Sequence, residues 1–394
     1  MKRDIGVLFP ELEKDLKSYT AEVTTGILPY QDIVELIAGG RIVAPVPIEE
    51  AQIQPASLDL RLGATAYRVR ASFLPGESSS VVSKIERLKM HEIDLSRPAV
   101  FEKNCVYIAE LMEEVRLPRD LSGKANPKST TGRLDIFTRL IVDGGTEFEG
   151  VPEGYRGKMY LEIVPRTFSI LAQQGTRLNQ LRFVRGHPPP SDAALERMQS
   201  AEKLVYSDTQ DELSAVIDEG LWISVDLEGD ASNGIVGYRA KNHAPLIDLS
   251  KVAYYDPLDF WEPIERTRTR SLVLNPDDFY ILVSRERIRI PARVAASMVP
   301  YDPSIGEFRI HYAGFFDPGF GTAGDVAGAH AVLEVRSHEV PFLIEHGQEV
   351  GRLVYERMLS APHKTYGAGI GSSYQSQGLA LSKQFKPFKS SPPA

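Results

Sequence analysis

Residues 107–118 read Y-I-A-E-L-M-E-E-V-R-L-P and residues 280–291 read Y-I-L-V-S-R-E-R-I-R-I-P, so a tyrosine and a proline recur at one spacing in both halves of the chain. A Leu-Glu pair and a later glycine recur in the same order and at the same interval: Leu161-Glu162 with Gly175, and Leu333-Glu334 with Gly347. Landmarks that repeat in register indicate repeated structural units. The sequence therefore predicts a tandem duplication of one fold.

The repeated unit has the pattern of an antiparallel β fold. Residues 57–63 alternate polar and apolar side chains and end at a glycine, which is typical of a strand. Further strands are predicted in short apolar runs, at residues 99–101, 105–111, 133–142, 158–164, 168–171 and 178–184. Proline and glycine interrupt nearly every gap, which favours a sandwich or barrel over alternating strands and helices. We predict a mainly β protein with two tandem β-barrel or sandwich domains and a few short helices, the first at residues 19–28 and 31–37.

The chain is long enough for two domains, because 394 residues exceed what one hydrophobic core normally serves. Three consecutive prolines at residues 188–190 stiffen the chain and cannot donate strand hydrogen bonds, so they mark a boundary. A helix over residues 193–204 is predicted to start from Asp192 as its N-cap. The prediction is a first domain at residues 1–190, a linker helix at 191–205 and a second domain at 206–394.

Composition restricts the partners. The net charge of −8 and the lack of a Lys/Arg block argue against a nucleic acid polymer or an anionic membrane surface. No apolar run approaches the roughly 20 residues of a membrane span, so neither an anchor nor an export signal is expected. The single cysteine, Cys105, excludes an intrachain disulfide and a thiolate zinc cluster. The zinc deaminase signature, the P-loop and the dinucleotide-binding turn are all missing from the sequence. A cytoplasmic protein that binds a small anionic ligand without zinc is expected.

The segment Lys128-Ser129-Thr130-Thr131-Gly132-Arg133 combines small hydroxyls, a glycine and two cations. Hydroxyls and backbone N–H groups approach phosphate oxygens closely at such a segment, and the cations neutralise them. The alternative is a polar hairpin loop, where the same residue types are common. The matching residues of the second half, 300–306, read P-Y-D-P-S-I-G, in which proline lacks an N–H and aspartate repels phosphate. Phosphate binding is therefore predicted in the first half.

Glu162 and Glu334 each stand in an apolar run that is predicted to be a strand. A carboxyl group in a buried strand has a raised pKa, which suits proton transfer. The alternative for each is an outward-facing carboxylate on a half-buried strand. The segments around Tyr155 and Asp317 are predicted to be hairpin turns, whose aromatic rings can lie against a nucleobase.

Residues 366–378 are rich in glycine and cannot pack a core. Two interpretations stay open. The segment is either a disordered tail or a lid that closes over a ligand with Tyr366, Tyr374 and Gln377.

These motifs together resemble the dCTP deaminase family, in the dUTPase-like superfamily of trimeric β proteins. Four features carry the resemblance: residues 54–63, Q-P-A-S-L-D-L-R-L-G; the S-x-x-x-R from Ser129 to Arg133; Y-R-G followed by Leu161-Glu162; and Y-x-x-Q-G from Tyr374 to Gly378. The D-P-G-F-G turn at Asp317 is a further hallmark. The resemblance covers nearly the whole chain and implies a long form with two dUTPase-like domains.

The resemblance implies hydrolytic deamination of dCTP to dUTP and ammonia, with Glu162 as general acid/base and with Ser129 and Arg133 completing the site. It implies that Lys128 to Gly132 hold the triphosphate, that magnesium only neutralises the phosphates, and that no zinc takes part. The other candidate substrate contacts are Tyr155, Tyr160, Leu161, Asp317, Tyr366, Tyr374 and Gln377. It also implies a homo-oligomer, either a trimer or a pseudo-trimeric assembly, with sites built between subunits.

Two questions stay open in the sequence. Because family sites are built between subunits, the loop of one half can face Glu334 of the other in a hybrid site. The interval from Tyr155 to Glu162 is similar to the family's and an insert at residues 322–329 lengthens the second half, so Glu162 is favoured and Glu334 is the alternative.

The function is also open to a dUTPase-type diphosphatase, alone or bifunctional with the deaminase, and to a non-catalytic nucleotide-binding regulator. A hairpin carboxylate would then be the diphosphatase base: Asp143, Glu147, Glu149 or Glu153.

Overall fold

The computed structural model describes residues 24–208, 213–229, 233–299, 308–310, 314–322, 327–337, 339–367 and 378–388. These ranges contain the helices α1 Tyr30–Ala38, α2 Val81–Leu88, α3 Ser129–Gly132 and α4 Asp192–Ala201. Two short 3-10 helices span Glu50–Gln52 and Pro257–Asp259. Residues 300–306, Tyr374 and Gln377, on which predictions fall, lie outside the described residues. Within the described ranges, no helix has the length and apolar character needed to cross a membrane.

Strands make up most of both halves. The first half contains β1 Gly26–Ile27, β2 Ile42–Val43, β3 Leu58–Val69, β4 Lys89–Asp94, β5 Ala99–Phe101, β6 Val106–Arg116, β7 Leu121–Pro127, β8 Ile136–Val142, β9 Gly150–Val151, β10 Arg156–Pro165, β11 Ile170–Ala172 and β12 Arg177–Arg185. The described part of the second half contains β13 Val205–Tyr206, β14 Leu221–Ser224, β15 Ile235–Ala240, β16 Ile247–Asp248, β17 Trp261–Glu265, β18 Ser271–Leu274, β19 Tyr280–Ile288, β20 Val294–Val299, β21 Phe308–Ile310, β22 Phe315–Phe316, β23 Ala329–Ser337, β24 Phe342–Glu345 and β25 Glu349–Arg357.

One sheet organises the first half, in the strand order β8-β10-β6-β3-β12-β7-β9. The long strand β3 pairs with β6 along one part and with β12 along another, so the sheet bends around its core as a barrel does. In the second half, β19 pairs with β23 as β6 pairs with β10, and β25 pairs with β20 as β12 pairs with β7. The prediction of a mainly β protein with two similar domains is confirmed.

The repeated tyrosines make the same hydrogen bond in both halves. The hydroxyl of Tyr107 accepts from the N–H of Glu102 at 2.9 Å, and the hydroxyl of Tyr280 accepts from the N–H of Asn275 at 3.0 Å. Each bond fixes the loop that precedes a central strand. The motif that predicts the duplication therefore has one structural role, and the duplication is confirmed.

The repeated glycines also occupy equivalent positions. The N–H of Gly175 donates to the carbonyl of Leu62 at 2.8 Å, and that of Gly347 donates to the carbonyl of Val225 at 2.9 Å. Their φ angles are 84° and 80°, a left-handed conformation that glycine adopts without steric cost.

One hydrophobic cluster runs across the two halves, and the second half has a further core of its own. The buried side chains of the shared cluster include Phe168 from the first half and Phe260 and Trp261 from the second. The ring of Phe385, in the C-terminal segment, lies 5.3 Å from that of Phe260 and 6.0 Å from that of Trp261. Strand β16 of the second half extends the first half by pairing in parallel with β11. The second half and the C-terminal segment therefore close over one side of the first half.

The helix predicted at residues 19–28 is wrong where the structure describes it. Gly26 and Ile27 form β1, which pairs with Arg185 and Val184 at the edge of β12. The free hydrogen-bonding edge of β12 outweighs the weak local helix preference of this segment.

The helix predicted from Asp192 is present, but its N-cap is Ser191. The Ser191 hydroxyl accepts from the N–H of Ala194 at 3.3 Å. The carboxylate of Asp192 instead accepts from the N–H groups of Glu219 and Gly220, at 2.7 and 2.9 Å. The acidic side chain therefore ties α4 to the second half.

Candidate active site

A cleft of about 720 Å³ lies between the first-half loop and the second half. Six residues predicted to bind substrate line it: Lys128, Ser129, Thr130, Thr131, Asp317 and Tyr366. Four of them come from the first half and two from the second. The cleft is therefore a hybrid of the two halves.

The loop at one wall of the cleft is a single helical turn, α3. Its fold is fixed by the N–H groups of Gly132 and Arg133, which donate to the carbonyls of Lys128 and Ser129 at 2.9 and 3.0 Å. The buried hydroxyl of Thr131 donates to the carbonyl of Leu178 at 2.7 Å, which anchors the turn to β12. Ser129 is exposed at the cleft. The turn thus presents Ser129 to a ligand and uses Thr131 for support.

Cationic side chains gather at this wall. Lys128 pairs with Asp59, a carboxylate on β3 whose side chain is almost fully buried. Arg177 lies 4.0 Å from the same carboxylate, and Lys383 of the C-terminal segment also lines the cleft. The pKa of Lys383 is lowered by partial burial and by the neighbouring Lys128. The cleft lining holds as many carboxylates as cations, so the positions of these three cations, rather than a net positive charge, allow it to bind a polyanion.

The opposite wall is the D-P-G-F-G turn. Burial raises the pKa of Asp317, and the neighbouring Arg182 guanidinium opposes that rise. The N–H of Tyr366 donates to the carbonyl of Pro318 at 2.8 Å, and its ring lies 5.6 Å from that of Phe320. The turn therefore holds an aromatic ring at the edge of the cleft.

Glu334 of the second half lies within electrostatic reach of Arg133 of the first half. Glu334 lies on β23 in a row with Ile281 and Tyr238 of the neighbouring strands, and only 6% of it is exposed. Burial raises its pKa to about 8, while the Arg133 guanidinium acts in the opposite direction. Arg133 also donates from Nη1 to the carbonyl of Ala380 at 3.1 Å. A buried carboxyl with a pKa near neutrality is suited to accept and return a proton.

Glu162 occupies the equivalent row of the first half, with Ile108 and Tyr67. Its carboxylate is fully buried, and Oε1 accepts from Nε and Nη2 of Arg139 on the adjacent strand at 2.9 and 2.6 Å. The Arg139 guanidinium stacks on the ring of Phe148 at 3.6 Å. Glu162 does not line the cleft, and neither do Glu334 and Arg133. The two equivalent glutamates thus have different partners, one within its own sheet and one in the other half.

Three further predicted contacts lie away from the cleft. The Tyr155 hydroxyl donates to the carbonyl of Lys158 at 2.7 Å, and burial raises the pKa of Tyr155 to about 12. Tyr160 and Leu161 are buried in two different apolar clusters, on opposite faces of β10. None of the three lines the cleft.

The hairpin carboxylates also lie outside the cleft lining. Asp143 accepts from the N–H of Val81 at 2.7 Å, and so caps α2. Glu149 is half-buried, and burial raises its pKa to about 8. Across the described residues, no three His, Cys, Asp or Glu side chains come together as metal ligands.

Sequence reasoning missed two cations of the site, Arg177 and Lys383. Arg177 follows Gly175 by two residues, in a segment whose apolar pattern indicates only a strand. Lys383 stands five residues after Gly378, and that interval is its only signal in the sequence. Their position at the cleft depends on chain packing rather than on local pattern.

Two family models match the chain: the N-terminal domain of 2'-deoxycytidine 5'-triphosphate deaminase over residues 24–187, and its C-terminal domain over residues 191–385. A duplicated, mainly β fold that these two models match half by half places the protein in the nucleotide deaminase class of enzymes. Within that class, the chain belongs to the dCTP deaminase family.

Known proteins of the family are similar to both halves or to one. The crystal structure of 2'-deoxycytidine 5'-triphosphate deaminase from Agrobacterium tumefaciens matches with a TM-score of 0.82 and 52% identity, and covers 86% of this chain and 100% of that chain. The "dCTP deaminase, dUMP-forming" of Beutenbergia cavernae is 30% identical over 151 residues, 36% of this chain and 74% of the relative. The dCTP deaminase of Halorubrum lacusprofundi is 28% identical over 172 residues, 41% of this chain and 79% of the relative.

Proposed function

We propose that this protein deaminates dCTP hydrolytically to dUTP and ammonia where its halves meet, with the triphosphate in the cleft. The observation that carries the proposal is that the first-half loop places Arg133 within electrostatic reach of the buried Glu334 of the second half. A cationic wall for a triphosphate and a proton-transfer group for the base then belong to one site. Family membership supports dCTP as the nucleotide.

The triphosphate is assigned to the wall formed by Lys128, Arg177 and Lys383, with hydroxyls from Ser129 and Thr130. The carboxylates there are already engaged, since Asp59 pairs with Lys128 and Asp317 lies 3.5 Å from Arg182. This donor set fits magnesium that is held mainly by phosphate oxygens and water. Magnesium, when bound to the triphosphate, supplies neutralisation of its charge. Tyr374 and Gln377 stay predicted contacts of the same ligand.

We assign the acid/base role to Glu334 rather than to Glu162. Two N–H donors of Arg139 hold the Glu162 carboxylate within its own sheet. Glu334 has a pKa near 8 and so exists in both protonation states near neutral pH. Glu334 takes a proton from the water as the water oxygen bonds to C4 of the cytosine. It then gives a proton to the amino group as the C4–N bond breaks and ammonia leaves.

Product analysis tests the proposal. Purified protein is incubated with dCTP and magnesium, and the nucleotides, pyrophosphate and ammonia are resolved over time. We expect dUTP and ammonia in equal amounts. Binding of dCTP without ammonia release would leave only a nucleotide-binding regulator.

The same chromatogram decides the second candidate, a bifunctional enzyme that releases dUMP and pyrophosphate. The name of the Beutenbergia cavernae relative motivates it. A parallel incubation with dUTP is the control. A bifunctional enzyme that releases dUTP between deamination and diphosphate cleavage also converts added dUTP to dUMP. Accumulation of dUTP from dCTP, with dUTP itself stable, would exclude this candidate.

The pH dependence of the reaction should report Glu334. Because the ionised carboxylate accepts the proton of water, we expect kcat/KM to rise with pH and to level off above about 8, the raised pKa of Glu334. Initial rates measured between about pH 5.5 and about pH 9.5, on both sides of this pKa, give the pH profile. Glu149, with a pKa also near 8, provides the control: Glu149→Gln should leave this limb in place. A limb that moves with Glu149→Gln would contradict the assignment.

The same pKa shift predicts a stability effect of known sign. A carboxyl whose pKa is raised by folding binds more protons in the folded state, so the free energy of unfolding falls as pH rises from about 4.3, the unfolded value, toward 8. The dependence should be weaker in Glu334→Gln and should persist in part, because Glu149 acts in the same direction. Urea unfolding at several pH values measures it.

The assembly and the compartment stay proposals of the family resemblance and the composition. A homo-oligomer is supported by the family, and light scattering during gel filtration measures it. A reducing cytoplasm is supported by the single cysteine, Cys105.

A further inference from the structure

A second charged pair crosses between the halves beside Arg133 and Glu334. It joins Asp135, which follows α3 in the first half, to Arg336 on β23 of the second half. Arg336 Nε lies 3.3 Å from Asp135 Oδ1, and Nη2 pairs with Oδ2. Asp135 is fully buried, and Arg336 is 8% exposed. Two opposite charges have therefore been removed from water at this point of the interface.

Several additional hydrogen bonds hold this pair in one geometry. The hydroxyl of Thr167 donates to Asp135 Oδ2 at 2.6 Å and accepts from Arg336 Nη2 at 2.9 Å. Nη1 of Arg336 donates to the carbonyl of Asp277, and its guanidinium lies 5.6 Å from the ring of Phe279. Donors and acceptors on both sides are engaged, which is the condition under which a buried ion pair is tolerated.

The backbone of Asp135 is fixed as well. Its N–H donates to the carbonyl of Gly132 at 2.8 Å, and its carbonyl accepts from the N–H of Arg166 at 2.9 Å. Its φ angle is 55°, a left-handed conformation that is uncommon for a residue with a side chain. The end of the turn that carries Arg133 is thus held from both directions.

The two pairs form a ladder of alternating charge. Glu334 and Arg336 are two residues apart on β23 and therefore point to the same face of the sheet. Arg133 and Asp135 are likewise two residues apart, just after α3. A shift of β23 by two residues in one direction would place Arg133 against Arg336, and a shift in the other direction would place Asp135 against Glu334. Like charges would then meet in a buried environment, so only one alignment of the halves is favourable.

We propose that Asp135, Arg336 and Thr167 are positioning residues that hold Arg133 against Glu334 across the two halves. The proposal rests on the proposed function, because it assigns these three residues a role in the same reaction. They do not contact the substrate. They act by fixing where the first-half loop meets the strand that carries the acid/base.

The central test replaces the carboxylate with an amide of nearly the same shape, in Asp135→Asn. A misplacement of about 1 Å at a catalytic centre costs roughly 10²-fold in rate, and we expect kcat to fall by about that factor. KM for dCTP should change less than about threefold, because the triphosphate wall is intact.

The pH profile of kcat/KM is the second readout. Arg133 is the charged group that lowers the pKa of Glu334. The cross-strand neighbour of Glu334 is the apolar Ile281, and the charge of Arg336 is neutralised by Asp135. Thr167→Val loosens the same pair without removing a charge, so loss of Arg133 should there shift the limb of kcat/KM to higher pH by about half a unit or more. In Asp135→Asn the uncompensated Arg336 cation opposes that shift.

Glu286→Gln is the matched control. Glu286 is a buried carboxylate of the second half, and it accepts from the N–H and hydroxyl of Ser224 at 2.7 and 2.6 Å. Its replacement should lower the thermal midpoint without moving the pH profile. An equal shift of the profile in Glu286→Gln, an unmoved profile in Thr167→Val, or an unchanged kcat in folded Asp135→Asn would overturn the proposal. If Asp135→Asn does not fold, Thr167→Val also provides the kcat test, with a smaller expected fall.

Failure of the proposed function has a different signature. Full activity of Glu334→Gln would remove the acid/base assignment whatever Asp135→Asn does. Loss of kcat in Glu334→Gln together with an unmoved pH profile in Thr167→Val would leave that assignment in place and reject the positioning role alone.

Discussion

Replacing Glu334 with glutamine should reduce kcat for dCTP deamination about 10³-fold while leaving the affinity for dCTP within a few-fold. The amide has nearly the shape of the protonated carboxyl but cannot accept and return a proton, and general acid/base catalysis contributes typically 10²–10⁴-fold. The triphosphate wall around Lys128 is untouched by the change. Steady-state kinetics and equilibrium dCTP binding, measured on the same preparation, separate the two effects.

Glu162→Gln is the matched control, because Glu162 occupies the equivalent row of the first half. The amide can still accept a hydrogen bond from Arg139, and we expect kcat to stay within a few-fold of the parent protein. The reverse pattern, an active Glu334→Gln and an inactive Glu162→Gln, would place the acid/base in the first half, as the spacing of the sequence favours.

Replacing Arg182 with leucine should lower the free energy of unfolding by about 3–5 kcal/mol, the usual cost of removing one partner from a buried ion pair. Arg182 is fully buried, 3.5 Å from Asp317 and 3.6 Å from Glu356, and its guanidinium lies 3.9 Å from the ring of Phe315. Leucine fills much of the space but leaves two carboxylates of the second half without their cation. The substitution therefore weakens the contact between the halves. Urea unfolding measures the change in the free energy of unfolding.

Arg185→Leu on the same strand tests whether the effect comes from burial. Arg185 pairs with Asp120 at 3.2 Å, but 40% of its side chain and 61% of its partner's are exposed. An exposed ion pair contributes about 0–1 kcal/mol, so this variant should unfold close to the parent midpoint. Equal losses in the two variants would contradict a special role for the buried pair.

Much of the fold could be read from local pattern. Alternation of side chains predicts the start of β3, because a strand that faces a core places every second residue inside it, and short apolar runs predict β6, β10 and β12. The recurrence of Tyr107 at Tyr280 and of Gly175 at Gly347 predicts the duplication, since each residue has a fixed local task in both halves. The short helical turn α3 was open to a hairpin interpretation, because the residues of a turn and of a helix start overlap.

The loop of the site was also predictable. Small hydroxyls beside a lysine identify Lys128, Ser129 and Thr130 without reference to the rest of the chain, and all three line the cleft. The partner of that loop was not. Glu162 and Glu334 both stand in an apolar run after a Leu, so the local pattern does not separate them. The spacing to the preceding turn favours Glu162, which in the structure pairs with Arg139 of its own sheet.

The sequence by itself determined the strands, the duplication and the chemical character of the phosphate loop, because each depends on residues that are neighbours along the chain. Only the tertiary structure decided that Arg133 meets Glu334, that Arg139 holds Glu162, and that Lys383 reaches the cleft. Those contacts join residues far apart in the chain across a shared core. Their geometry follows from how the two halves pack, which no local spacing records.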